Sequence, residues 1–370
     1  MKNFLIKNKK IILYFLIFIT IISFFDTIRK GFMNGCDFQW QPSVLFWEGI
    51  NHYAKFIKNG KSDFLCQGGE YGHLLHVILY PYTLFNWELA RSLWVLTNVF
   101  FTFAIPLLIC RKLKLSNYKT IILLLIFITC YPTRMTINYG QQSLFVLFFI
   151  ILPFLYKSSL AGFFSGFSSV KYTTGYVLFL NFLITKNFKK FFIALIPYTL
   201  GWIIYFSYTN SNPLINFFEP IQWSLQKNYI RDGDIYSLLQ IYFVNDFNLY
   251  LKYLSIIFVF FLNIFFLFRI NKLNDNFLKM SLILICPLIF FPHSNYDYVL
   301  LFPIAAYSLL NFDLFINKIN FFFVIYFYYF SRLIKHLLNI DWLYQPLILI
   351  IMIILIFLNI RARLGHREIK

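Results

Sequence analysis

Apolar runs of roughly 15 to 21 residues, near the length that crosses a bilayer, recur from end to end of this chain. No other feature limits the fold as tightly. In hydrocarbon every backbone N–H and C=O must be paired within its own segment or around a closed barrel, so only helices and barrels span. Segments such as Ile121 to Ile128 and Leu347 to Leu358 are continuously apolar and lack the alternation of a barrel strand. The chain therefore reads as an all-α polytopic membrane protein. Only 13% of its residues are charged, against about 25% in a soluble domain. No soluble domain is evident, and residues 1–370 read as a single membrane-embedded domain.

The charge pattern sets the topology. A net charge of +18 can mark a nucleic-acid partner, but here the basic residues cluster in short turns between apolar runs, as topogenic charges do. Twelve spans are expected: about Ile11 to Phe25, Arg91 to Cys110, Thr120 to Tyr131, Ser143 to Tyr156, Leu160 to Val170, Thr174 to Ile184, Phe191 to Tyr208, Leu251 to Phe268, Met280 to Phe291, Tyr298 to Leu310, Ile319 to Leu338 and Leu343 to Ile360. Nearly all the net charge then falls on the inner segments, with both termini in the cytoplasm. The basic, then apolar, start resembles a signal peptide. It lacks a small-residue cleavage site, so an uncleaved first span is expected.

Two outer segments are long, residues 26–89 and 209–250. Within the first, Ser43 to Ile57 reads as one amphipathic helix lying along the interface. Leu74 to Phe85, with Pro81 inside it, is too short to span and ends the outer segment. The fifth span is short and rich in Gly and Ser, a composition tolerated at membrane depth where a segment lines a protein cavity. Cys36 and Cys66 both fall in the first outer segment, where an oxidising compartment would allow a disulfide. The cysteine spacing is not that of a metal site.

This topology brings a set of polar residues to the outer ends of the helices: Asp37, Gln67, Glu70, Arg134, Tyr139, Gln141, Lys171, His293 and Asp297. Ionisable groups at membrane depth are costly and are candidates for function. Each has a plainer reading beside the functional one. Asp37 is a solvated loop acid, or, with Phe38 and Trp40 beside it, a carboxylate in an aromatic pocket that stacks on a sugar. Lys171 and Arg134 are snorkelling cations, or point charges for a phosphate. His293 and Asp297 cap the tenth span, or His293 is a base. Gln141 closes a polar helix end, or hydrogen-bonds a sugar or phosphate, and Tyr139 is a further candidate to bind substrate. The inner face carries basic turns without a Walker or Rossmann glycine pattern, so a soluble nucleotide donor has no support there.

In order along the chain stand Asp37-Phe38 with Glu48-Gly49 and Tyr53; Tyr80-Pro81 before Ala90-Arg91-Ser92-Leu93-Trp94 and Asn98; Tyr139-Gly140-Gln141; Ala161-Gly162 through Lys171; and Pro292-His293-Ser294 before Tyr296-Asp297. With these marks, from Gly35 to about Leu309, the chain resembles glycosyltransferase family 87, membrane transferases of the GT-C type that use polyprenyl-phosphate sugars. The resemblance implies a GT-C-like bundle of about twelve helices in the inner (plasma) membrane, with a site facing outward. The implied partners are a polyprenyl-phosphate-linked sugar donor, a glycan or glycolipid acceptor and the bilayer, with no nucleic acid and no cofactor. Asp37 matches the early acid of the first outer segment, the catalytic position of the GT-C type. His293 falls where the family carries a polar residue near the site. The chain departs from the family in Cys36 before the acid, in Gln41-Pro42 where tyrosines are common, and in the single Pro81. A lipid-linked-sugar flippase or transporter, and a non-catalytic subunit of polysaccharide assembly, are the other classes open to such a chain.

Overall fold

A computed structural model describes residues 9–36, 38–59, 71–226, 233–243, 249–331 and 341–364. The described residues are helical throughout their ordered elements, with no strand among them. In chain order the α-helices are α1 (Lys9–Asn34), α2 (Trp40–Trp47), α3 (His52–Asn59), α4 (His73–Ile78), α5 (Tyr80–Thr83), α6 (Trp87–Lys112), α7 (Asn117–Thr129), α8 (Tyr131–Tyr139), α9 (Ser143–Leu155) and α10 (Ser159–Ser165). They continue with α11 (Tyr172–Ile184), α12 (Phe188–Thr209), α13 (Pro213–Gln226), α14 (Ile235–Phe243), α15 (Leu249–Asn271), α16 (Asn276–Ile283), α17 (Cys286–Phe290), α18 (Phe302–Leu310), α19 (Phe315–Ile325) and α20 (Asp341–Leu364). Two 3-10 segments, Gly166–Val170 and Asn295–Leu301, join α10 to α11 and lead into α18.

Helix length separates two kinds of element. Among the described residues α6, α12 and most of α15 are long and apolar enough to cross a bilayer. The pair α7–α8, bent by 50°, makes a fourth if counted as one span. The bend falls at Cys130, whose extended backbone precedes Pro132. Other apolar helices, such as α9 and α11 with 13 residues each, are shorter; at 1.5 Å per residue each reaches only about 20 Å of a core about 30 Å thick. Helix length alone thus accounts for three or four crossings rather than the twelve expected.

The long helices turn apolar side chains outward: Leu96, Phe100 and Leu107 on α6, Phe192, Leu200 and Ile203 on α12, Ile257, Phe261 and Phe265 on α15. In water such a fringe would be a liability; in a bilayer it is the solvent-facing surface. The short helices sit inside, where α9, α16, α17 and α18 supply much of the buried core.

The segments expected on the inner side meet one another. The Lys112 ammonium donates to the Leu155 carbonyl at 2.7 Å, Lys190 to Pro153 at 3.0 Å, and Lys119 to Leu309 at 2.7 Å. Each lysine thus caps carbonyls left over at the C-terminal turn of a neighbouring helix, α9 or α18. Tyr307 donates to Asp275, whose carboxylate also caps α16. One end of the bundle collects these basic turns.

Two expectations in the outer segments need correction. Ser43 to Ile57 is not one helix. It breaks into α2 and α3, and Gly49 in the break has φ +80°, a conformation that glycine adopts without penalty. Residues 209–250 are not only a polar loop, since α13 and α14 lie within them.

Candidate functional site

The site is built where four elements start or stop. At its centre the Lys171 ammonium meets Asp297 Oδ1 at 2.5 Å, with both side chains buried. Asp297 is placed by its own turn: Ser294 and Asp297 form a reciprocal capping box at the start of the 3-10 segment Asn295–Leu301, and the Ser294 N–H donates to Asp297 Oδ2 at 3.0 Å. The Ser143 hydroxyl, on the first residue of α9, donates to Asp297 Oδ1 at 2.5 Å. Lys171 stands at the joint between the 3-10 segment Gly166–Val170 and α11, and its ammonium lies 4.9 Å from the centre of the Tyr296 ring.

Burial pushes the Asp297 carboxyl upward. The neighbouring Lys171 charge, together with the hydrogen bonds from Lys171, Ser143 and the Ser294 N–H, outweighs burial and holds it below the usual carboxylate range. The carboxylate is therefore held in its charged form against the Lys171 ammonium. The starts of α9 and α11 lie beside it and carry the positive ends of their dipoles. Of the residues read from the sequence, Lys171 and Asp297 are thus joined directly.

Gln141 lies two residues before Ser143 and is buried; its Oε1 accepts from the Tyr71 phenol at 2.7 Å. Gly140, with φ +73°, ends α8 and turns the chain so that Gln141 follows at the start of α9. The Trp94 indole N–H donates to the Gly140 carbonyl at 2.8 Å. The Cys36 N–H donates to the Tyr139 carbonyl at 3.1 Å, and Phe38 is fully buried with its ring stacked on Trp94 at 5.1 Å. Cys36 is disulfide-bonded. Asp37, between these two residues, lies outside the described residues, as do Cys66, Gln67 and Glu70.

His293 is buried immediately before Ser294, at the head of the turn that carries Asp297. Its Nδ1 faces the Phe291 carbonyl at 3.3 Å and its ring packs on Tyr298. A carbonyl only accepts, so Nδ1 bears the hydrogen and Nε2 is the basic nitrogen.

Three of the sequence candidates have other surroundings. The Arg134 Nε donates to Thr27 on α1 at 3.2 Å. The Trp40 indole donates to the Tyr82 carbonyl at 3.2 Å and its ring packs on Trp87. Tyr139 is partly exposed and meets Cys36 through its backbone. Sequence reasoning passed over Ser143, Tyr71 and Tyr296 as site residues. Ser143 opens an apolar run, and a hydroxyl there carries no signal of its own. Among the described residues no group of three or more His, Cys, Asp or Glu is arranged to hold a metal ion.

No curated protein matches the chain, and no solved structure does. The model of glycosyltransferase family 87 matches residues 71–294, a stretch that takes in Tyr71, Gln141, Ser143, Lys171 and His293 and ends just short of Asp297. With more than half its length covered, the chain belongs to glycosyltransferase family 87.

Proposed function

We propose that this glycosyltransferase moves a sugar from a polyprenyl-phosphate donor to a hydroxyl of a glycan or glycolipid acceptor. The reaction takes place on the outer face of the plasma membrane, in a chain that crosses twelve times with both termini in the cytoplasm. Short helices complete the crossings by packing against the long ones, as backbone breaks inside a protein environment permit. The observation that carries the reading is the buried Lys171–Asp297 pair set beside the starts of α9 and α11.

The donor phosphate docks at Lys171. An ammonium has three N–H donors, so a phosphoryl oxygen can share it with Asp297. The helix starts add positive potential, and Arg134 adds more at longer range. As the bond between the anomeric carbon and the phosphate oxygen breaks, its electron pair stays on the phosphate, and these groups stabilise that charge. Asp37 takes the proton from the acceptor hydroxyl as the hydroxyl oxygen attacks the anomeric carbon. His293 Nε2 is the alternative base. A single displacement inverts the anomeric centre. Support for Asp37 comes from its neighbours Cys36 and Phe38, which meet the turn at Tyr139 and Gly140 just ahead of Gln141. Trp40, Tyr139 and Gln141 contact sugar or phosphate.

The test is to incubate the purified chain with a labelled polyprenyl-phosphate sugar in vesicles that hold no ion gradient. An enzyme consumes the donor and frees the lipid phosphate. A flippase moves the donor between leaflets without consuming it, and that result would replace this reading.

A further inference from the structure

Tyr71 touches the candidate site through both its side chain and its backbone. Its phenol, almost wholly buried, donates to Gln141 Oε1 at 2.7 Å. The next residue, Gly72, donates its N–H to the Val170 carbonyl at 2.9 Å, immediately before Lys171. Gly72 also packs so closely that an added Cβ would lie 3.1 Å from the Ser169 carbonyl oxygen. The Tyr71–Gly72 step therefore ties together Gln141 and the segment that carries Lys171.

The step is itself held from behind. The Tyr53 phenol donates to the Tyr71 carbonyl. The Tyr53 oxygen also lies 3.3 Å from His76 Nε2. His76 Nδ1 lies 3.0 Å from the Ser43 hydroxyl, whose own proton goes to the Gln39 carbonyl at 2.8 Å. Ser43, His76 and Tyr53 are all fully buried. A chain of buried polar contacts thus runs from α2 through α4 and α3 to the Tyr71 carbonyl.

We propose that Tyr71 is a positioning residue for the donor phosphate. It fixes the Gln141 amide with its oxygen toward the phenol and its NH2 end as the donor to a phosphoryl or sugar oxygen. This rests on the function proposed above. The buried contacts from Ser43, His76 and Tyr53 hold the Tyr71 backbone from behind without bringing a carboxylate or an ammonium near the Lys171–Asp297 pair.

The test is a double-mutant cycle on the full chain, with donor KM and kcat as readouts. Tyr71→Phe keeps the ring and removes the hydroxyl. It is expected to raise the donor KM about tenfold, the loss of one charge-assisted hydrogen bond, with kcat within about threefold. Gln141→Ala is expected to do the same, and Tyr71→Phe added to Gln141→Ala to cost nothing more. A purely structural role for Tyr71 predicts effects that multiply, and multiplied effects overturn the proposal. Tyr53→Phe leaves Tyr71 whole and releases only its carbonyl; run through the same cycle, it decides the matter if Tyr71→Phe does not fold. Binding of sugar-free polyprenyl phosphate, read by tryptophan fluorescence, separates the two readings. A chain that binds the lipid phosphate but transfers nothing defeats the proposed function, and the cycle is then scored on Kd. A chain that binds normally with Tyr71→Phe defeats the role of Tyr71 alone.

Discussion

At the scale of single residues the account turns on a charge pair that holds itself in place. The Asp297 carboxylate answers to three groups at once: Lys171, Ser143 and the Ser294 N–H of its own turn. Removing one member of such a buried pair strands the other, at a cost of about 3–5 kcal/mol, whereas replacing both with apolar groups of similar size is close to neutral. Asp297→Asn or Lys171→Met is therefore expected to lower thermal stability sharply. The double variant Lys171→Met with Asp297→Leu is expected to regain most of that stability and still bind no donor phosphate. A double variant that transfers sugar at the wild-type rate would remove Lys171 from the site. Both residues were legible in the sequence as polar groups at helix ends. Their pairing was not, because it joins positions 126 residues apart through packing that no local pattern encodes. Arg134, expected at an outer helix end, lies in the first turn of α8, and its partner Thr27 on the first helix could not be read from the sequence.

At the scale of elements, close backbone contact aims Lys171. A Cβ on Gly175, one turn into α11, would lie 2.4 Å from the Ser168 carbonyl oxygen. Gly175→Ala is expected to push the 3-10 segment away from α11, to cost about 1–3 kcal/mol as overpacking does, and to cut transfer by more than the lost stability explains. Circular dichroism melts beside initial rates check this; an unchanged rate contradicts it. The Gly and Ser content of this stretch marks it as a short, broken segment, and it is one. The break between α2 and α3 is less visible, because the apolar spacing from Ser43 to Ile57 runs on through Gly49 as if the helix continued.

The packing of α4 makes a second prediction, about pH. His73 is buried beside His52 and His76, and burial pushes its pKa down to about 4. Burial also lowers His52 and His76 well below the ordinary histidine range. The charged and titratable groups around them are Tyr53 on α3, Tyr205 on α12 and Glu219 on α13, the last reached through Asn51. The unfolded segment takes up protons near pH 6.5 and the folded one does not, so stability is full above about 6.5 and falls as pH drops toward 4. The loss from His73 alone is about 3 kcal/mol. Proteolysis of the first outer segment between pH 7.5 and 4.5 should show increasing cleavage on acidification. Cleavage that is flat or decreasing would contradict the packing.

At the scale of the whole molecule, the grouping of the basic turns was the most legible property. Basic turns assigned to one side from charge alone do meet at one end of the bundle, with Lys112, Lys119 and Lys190 capping helix carbonyls there. Spans were harder to count, because hydropathy reports apolar length and cannot see that α16 and α17 part at Leu284 and Ile285, or that α7 and α8 bend. Single cysteines introduced at Lys114 and at Asn210 in a chain lacking exposed thiols are expected to react with impermeant maleimide from opposite sides of the membrane. Reaction from the same side would refute the twelve-span topology. The claim on which the rest depends is that a carboxylate after the first helix drives sugar transfer from a lipid phosphate. It is tested most directly by comparing turnover of a labelled polyprenyl-phosphate sugar by the wild type and by Asp37→Asn, at matched expression and membrane insertion. The account predicts release of lipid phosphate by the wild type and none above background by Asp37→Asn; near-normal turnover by the variant would contradict it.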